Sequence, residues 1–198
     1  MIADLRQHLA GVVAMLSFKE DWRAHFDVSE RGLWRSFLAA VWGVPFFALV
    51  LIIQSKLVLA LAEDPAQART AGLGYAVTLY AVMWLYFPLV ARLFTGAFGL
   101  RDSLAPWIVV HNWTLLFLLM VHTVIGLPLL AGLVSAEAHY STTSFYFLLV
   151  VFAHCRAAIG ALDAPWSLAI GGACLALILW LMAQLGLAYM LSGSAVQA

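Results

Sequence analysis

The sequence predicts an all-α membrane protein, a polytopic transmembrane helix bundle of about five spans with an N-terminal amphipathic helix. Of its 198 residues, 65% are hydrophobic and only 10% are charged, and the mean hydropathy is +0.98. These values lie far outside the range of a soluble globular domain. The few charged residues are unevenly placed, so that they separate long uncharged runs. About five spans with short connections would use most of the chain, which leaves room for one membrane domain.

Residues 1–32 are predicted to lie outside the spans as a cytoplasmic amphipathic helix followed by a polar linker. Apolar residues recur at helical spacing from Ile2 to Leu16. Asp4 and Arg6 stand where a cleaved signal peptide would need an apolar core, so no signal peptide is predicted. Two positions stay open for this helix, in the cytoplasmic headgroup layer or docked on the bundle.

Residues 33–198 are predicted to form a single transmembrane helical domain. Asp27 and Glu30 have the spacing of a capping box, which predicts that Asp27 caps the helix of the first span. The third apolar run is longer than a bilayer requires, so Gly126 and Pro128 are expected to kink it or end it early. The spans are predicted at about 33–61, 71–91, 106–133, 142–161 and 165–190.

The distribution of basic residues predicts the orientation, because lysine and arginine in short loops resist translocation. With the N-terminus in the cytoplasm, only Lys56 and Arg69 fall outside. The sequence therefore predicts a multi-pass protein of the cell inner (plasma) membrane with its N-terminus cytoplasmic and its C-terminus outside. The basic residues that then fall on the cytoplasmic side are Arg6, Lys19, Arg23, Arg31, Arg35, Arg92, Arg101 and Arg156.

A short repeat precedes two of the outward-going spans. The segment AFGLRDSLAPW, which ends at Trp107, resembles AIGALDAPW, which ends at Trp166. A first-turn proline and a tryptophan at headgroup level explain the likeness structurally. A duplicated helical hairpin is the alternative explanation.

Polar side chains within the apolar runs are the candidate ligand-binding residues, because burying them is costly unless they are paired or face a cavity. We expect His111 and His154 to lie at similar depth and to face each other. With two arginines they would form a basic, cytoplasm-facing cluster suited to a lipid phosphate or another anion. Alternatively, the arginines snorkel and the histidines bond to backbone carbonyls. The full candidate set is His111, Asn112, His122, His154, Arg156 and Arg92.

Haem b is an alternative cofactor, and otherwise no cofactor or metal is predicted. His111 and His154 would be the haem ligands, since two histidines at matching depth on neighbouring helices suit bis-histidine ligation. His111 and His122 are eleven residues apart and so lie on one helix face. His122 has no predicted partner for a second haem, because His139 is assigned to a loop.

No catalytic residue is predicted. The chain contains no phosphate-binding glycine-rich loop, no HExxH and no GxSxG. Cys155 and Cys174 lie within apolar runs, which disfavours a disulfide or a thiolate metal site. The net charge of zero gives no electrostatic basis for binding nucleic acid.

Two segments, FDVSERGLWRSFLAA and FYFLLVVFAHCRAAIGA, resemble parts of uncharacterised bacterial inner-membrane proteins. The layout of a polar N-terminal region followed by about five spans resembles the Yip1 family of small membrane proteins. That resemblance implies a role in membrane organisation, trafficking or partner binding.

The function predicted from these observations is a non-enzymatic membrane-organising protein, scaffold or accessory subunit. Its expected partners are the lipid bilayer and, in addition, other membrane proteins or a second copy of the chain. A small transporter with a cytoplasm-facing polar site is the first alternative, and it would require a cavity that reaches His111, His122 or Arg156. A haem b electron carrier is the second alternative.

Overall fold

The computed structural model describes residues 2–62 and 72–193, with side chains described up to Met190. Arg69 and the predicted start of the second span at residue 71 lie outside these ranges. The described residues contain seven α-helices and no strand, with short 3-10 turns at Glu20–His25 and Arg101–Ser103. The helices are α1 (Ile2–Leu16), α2 (Glu30–Ser36), α3 (Leu38–Leu61), α4 (Leu73–Ala97), α5 (Leu104–Leu130), α6 (Ala136–Ala161) and α7 (Trp166–Gly193).

Five stretches of the described chain are long and apolar enough to cross a membrane. The first combines α2 and α3, which adjoin at Phe37. The prediction of an all-α polytopic bundle with about five spans is therefore confirmed. The stretches are Glu30–Leu61, Leu73–Ala97, Arg101–Leu130, Ala136–Ala161 and Trp166–Met190.

Two helices extend six residues beyond their predicted ends. α4 continues past Arg92, because the long side chain of an arginine in the last turns of a membrane helix can extend its charged group to the headgroup layer. α6 begins at Ala136, where the hydroxyl of Ser135 accepts a hydrogen bond from the Ala138 amide at 3.2 Å. His139, predicted to lie in a loop, is therefore inside α6 and is buried.

The predicted cap of the first span was wrong by two residues. Ser29 is the N-cap of α2, and its hydroxyl accepts from the Gly32 amide at 3.1 Å. Asp27 instead accepts hydrogen bonds from the amide and the hydroxyl of Ser29, at 3.1 and 2.6 Å. The carboxylate thus holds the capping side chain in place.

α5 does not end at Gly126 or at Pro128. The helix runs through both residues to Leu130, because a proline in the last turn removes only one backbone hydrogen bond. Gly126 has a packing role, since a Cβ at this position would overlap the side chain of Ile53 on α3.

The N-terminal helix is docked on the bundle, which is one of the two positions that the sequence left open. Val12 and Met15 are fully buried, and the His8 ring lies 4.5 Å from the ring of Trp113 on α5. The end of the bundle where α1 lies, called the α1 end here, is closely packed. There the Asp163 amide after α6 donates to the Ser103 hydroxyl before α5 at 3.1 Å.

The two repeated tryptophans have different surroundings. Trp107 is only 1% exposed and packs against Phe87 and Phe94 of α4, whereas Trp166 is 69% exposed. A headgroup-level position suits Trp166 alone. Trp107 is part of the core.

Helices α4 and α7 are joined to the rest of the bundle mainly near the α1 end. A buried cluster there combines Phe87 and Phe94 of α4 with Trp107 of α5 and with small residues of α7, including Ala169 and Ala173. Near the opposite end, the buried cluster among the described residues combines only α3, α5 and the start of α6. A space therefore opens between α4 and α7 on one side and α3, α5 and α6 on the other.

Candidate functional site

The space between these helices is a cleft of about 980 Å³ inside the predicted membrane domain. All five long helices contribute side chains to its wall, and it extends to Gly72 and Ala188 at the end of the bundle opposite α1. Its floor includes Tyr86, His154 and Trp180. Most lining residues are aliphatic or aromatic, with a few polar groups among them, which is the usual composition of a small-molecule site.

Residues on one face of α5 line the wall of the cleft, and a residue on the same face, closer to the α1 end, lies beneath the floor of the cleft. Leu115, Leu118 and His122 follow one another at helical spacing and line the cleft. His111 lies on the same face, one turn before Leu115, but does not line the cleft. The ring of Phe87 stacks on the His111 ring with centroids 3.3 Å apart.

Four polar side chains that line the cleft, which we call the polar belt, come from four different helices. Each is between seven and ten residues from the helix end opposite α1, which corresponds to a depth of about 10–15 Å. This level falls within the hydrocarbon layer of a bilayer that the helices span. The belt consists of Gln54 on α3, His122 on α5, Tyr146 on α6 and Gln184 on α7.

The polar belt has hydrogen-bonding capacity that the described residues do not use. The Tyr146 hydroxyl donates to the Leu118 carbonyl at 2.9 Å, and its ring lies 4.8 Å from the His122 ring. The His122 Nε2 atom is enclosed and has no partner within the described chain. Gln54 and Gln184 are half-buried, and no hydrogen bond to another described residue engages their amides. Leaving such groups unpaired is unfavourable, so they favour a ligand or water in the cleft.

His154 places a further acceptor at the floor. Its Nδ1 lies 2.8 Å from the carbonyl oxygen of Val150, one turn earlier on α6. A carbonyl only accepts, so Nδ1 carries the proton and donates. In the neutral ring, Nε2 is then left with a lone pair.

The predicted basic cluster does not assemble as a whole. His111 and His154 do meet, with ring centroids 5.0 Å apart. Arg156 is only two residues after His154 and therefore points to another side of α6, where its Nη2 donates to the Met15 carbonyl at 3.3 Å. Arg92 is exposed on α4.

Arg156 and Asn112 instead join elements of the α1 end. The Arg156 guanidinium lies 4.4 Å from the ring of Phe18 and near the C-terminus of α1, where a cation is favourable. Asn112 donates through Nδ2 to the Ser36 hydroxyl at 2.9 Å and so connects α5 to α2. Both contacts fit a structural role.

The surroundings of His111 and His154 do not fit a haem held between their rings. An iron would stand about 2 Å from each ligating nitrogen, with the porphyrin plane between the two imidazoles. The rings are in direct edge contact, and Phe87 covers one face of His111.

A smaller polar pocket of about 230 Å³ lies at the α1 end, between α1 and α2. Arg35 forms an ion pair with Asp4 there. Burial lowers the pKa of His8, whose Nδ1 lies 2.8 Å from the Asp4 carbonyl oxygen. Hydrogen bonds from Ser29 lower the pKa of Asp27. These contacts hold α1 against the start of the first span.

Gln54, Tyr146 and Gln184 were not among the predicted site residues. Their signal in the sequence is the presence of uncharged polar groups within apolar runs, which is weaker than that of an ionisable residue. Comparison of the chain with protein-family models, with curated proteins and with solved structures finds no match. The function is therefore inferred from the chain's own residues.

Proposed function

We propose that this protein is a non-enzymatic, multi-pass membrane protein that holds a small amphipathic molecule from the bilayer in the cleft. The observation that carries the proposal is the cleft itself, about 980 Å³ in volume, with a polar belt at membrane depth in which His122 Nε2 has no partner among the described residues. A site of this size, with apolar walls and a few convergent polar groups, is suited to an amphipathic ligand.

The proposal is closer to the transporter alternative than to a sealed scaffold. That alternative required a water-accessible, cytoplasm-facing cavity reaching His111, His122 or Arg156. The cleft reaches His122, but it opens at the end opposite α1, which the orientation proposed below places outside. Beneath the floor, Phe87 and Trp107 fill the space towards the α1 end. This arrangement favours a binding protein or carrier whose site is accessible from one side.

We further propose that the protein lies in the inner membrane with its N-terminus in the cytoplasm, so that the cleft opens to the outer side. The basic residues described above support this orientation. A role as a scaffold or accessory subunit, as the Yip1-like layout implies, is the second candidate. The outward-facing apolar side chains of α4, Leu85, Leu89 and Leu93, support it, because they could pack against a helix of another protein or of a second copy as well as against lipid.

Blocking the cleft tests the proposal. Val150 lines the cleft, whereas Leu148 on the same helix is 63% exposed and does not line it. We expect wild type and Leu148→Trp, purified in mild detergent, to retain a stoichiometric small molecule that Val150→Trp lacks, as measured by mass spectrometry of organic extracts. Equal amounts of the co-purified small molecule in all three proteins would contradict the proposal. A stoichiometric polypeptide in place of a small molecule would favour the accessory-subunit candidate.

A further inference from the structure

We propose that the molecule held in the cleft is an uncharged single-chain lipid whose hydroxyl or carbonyl groups hydrogen-bond to His122 and the two glutamines of the polar belt. This inference rests on the proposed function and specifies the chemistry of its ligand. It follows from the charge, the hydrogen-bonding capacity and the volume of the cleft.

Among the described residues, the cleft offers no counter-charge for an ionised headgroup. None of its described lining residues is Asp, Glu, Lys or Arg. Lys56 is two residues beyond Gln54 on α3, but its ammonium donates to the carbonyls of Leu129 and Leu130 at 2.7 and 3.1 Å. A phosphate or carboxylate at belt depth would lose its hydration without gaining an ion pair, which is strongly unfavourable.

The polar belt offers both hydrogen-bond donors and acceptors. Each glutamine amide carries an acceptor oxygen and two N–H donors, and a neutral imidazole carries one donor and one acceptor. A hydroxyl group matches this set, because it can donate to one group and accept from another. A phosphate dianion or a carboxylate presents acceptors alone and would leave the acceptors of the belt unpaired.

The volume of the cleft limits the size of the ligand. A volume of about 980 Å³ is at the upper end of the range of about 300–1,000 Å³ that is typical of small-molecule sites. One acyl chain with a small head is a ligand of that size class, and it needs only one hydrocarbon tail among the apolar walls. The apolar side chains of Leu115, Leu119 and Val150 would surround the hydrocarbon tail.

A matched pair of lipids and a matched pair of variants test the proposal. Monooleoylglycerol and oleoyl lysophosphatidate share the chain and the glycerol but differ in the charged phosphate. His122 and His111 lie on one face of α5, and both have an enclosed, unpartnered Nε2, but only His122 lines the cleft. Equilibrium binding of radiolabelled lipids would be measured on the full chain in phosphatidylcholine nanodiscs.

We expect monooleoylglycerol to bind at least about tenfold more tightly than the lysophosphatidate. His122→Leu should weaken this binding about fivefold to tenfold, since one hydrogen-bonding partner of the ligand is lost. His111→Leu should bind like wild type. His122→Gln keeps a donor and an acceptor and should retain binding within about threefold, which separates a lost hydrogen bond from a folding defect.

The contrary results are distinguishable. Equal or tighter binding of the lysophosphatidate would overturn the uncharged ligand while leaving the proposed role of the cleft intact. Equal losses in His122→Leu and His111→Leu would overturn the role of His122. Binding of neither lipid would overturn the proposal, and loss of the co-purified small molecule in Val150→Trp would then show that the cleft holds a ligand of another class.

Discussion

At the scale of single residues, a glycine near the end of α6 lets the linker approach the bundle. The indole of Trp22 lies where a Cβ on Gly160 would be, and Trp22 is buried. The Gly160 carbonyl also accepts a hydrogen bond from Arg23 Nε at 3.0 Å. The missing side chain at this one position therefore allows both an aromatic contact and a hydrogen bond between the linker and α6.

We expect Gly160→Ala to lower the free energy of unfolding by about 1–3 kcal/mol, because the added methyl group forces the Trp22 ring to move. The matched control is Gly171→Ala on α7, where a Cβ would meet no atom within 4 Å. Thermal unfolding of the detergent-solubilised proteins would show a lower Tm for Gly160→Ala and no decrease for Gly171→Ala. A wild-type Tm for Gly160→Ala would mean that Trp22 does not pack as described.

At the scale of elements, docking of α1 depends on a titratable residue. The His8 ring packs against Phe26 and Trp113, with centroids at 5.7 and 4.5 Å. Burial lowers its pKa below the ordinary value of 6.5, so the undocked helix binds the proton more readily than the docked one. The contribution of His8 to docking is therefore fully present above pH 6.5 and declines as the pH falls from 6.5 towards the lowered pKa.

We expect α1 to undock more readily at acid pH. In a chain with Cys155→Ala and Cys174→Ala, the buried Val12→Cys thiol should become more reactive towards maleimide between pH 7.5 and pH 5.5. Its rate is compared with that of Val13→Cys, which is half-exposed on the same helix, to cancel the pH dependence of the thiol itself. His8→Phe keeps an aromatic ring without a proton and should abolish the change. The same pH dependence in His8→Phe would exclude His8 as its cause.

The number of spans could be predicted from the sequence because each span is a long, strongly apolar run with few charged residues. The ends could not, since capping and snorkelling extend helices into polar sequence, as at Ser135 and Arg92. The periodicity of α1 identified a helix but not its position, because an apolar face suits both a headgroup layer and a bundle. Its docking depends on contacts with distant residues such as Trp113 and Arg156.

The candidate site could also be predicted only in part, because its lining depends on contacts between residues that are far apart in the sequence. The eleven-residue spacing correctly places His111 and His122 on one face of α5. It does not tell which of them a neighbouring helix covers. Phe87 of α4 covers His111, whereas the cleft separates α4 from α5 at the level of His122. Divergence of two helices is a property of the assembled bundle, and no local pattern in the sequence encodes it.

At the scale of the whole molecule, the two ends of the bundle differ in packing and in charge. The α1 end is closed by aromatic clusters and by the docked N-terminal segment, and eight basic residues lie in or near it. The opposite end holds the opening of the cleft, and Lys56 is the basic residue described there. The orientation of the protein in the membrane therefore decides which leaflet of the bilayer supplies the ligand.

The proposed orientation predicts which connections are accessible from outside the cell. In a chain with Cys155→Ala and Cys174→Ala, Val134→Cys probes the connection between α5 and α6, and Asp102→Cys probes the connection between α4 and α5. Both positions are exposed, so a difference in labelling between the two thiols should report the compartment that each faces and not its burial. We expect a membrane-impermeant maleimide to label Val134→Cys in intact, outer-membrane-stripped cells and to label Asp102→Cys only after permeabilisation. The reverse pattern would place the α1 end outside, and the cleft would then receive its ligand from the cytoplasmic side.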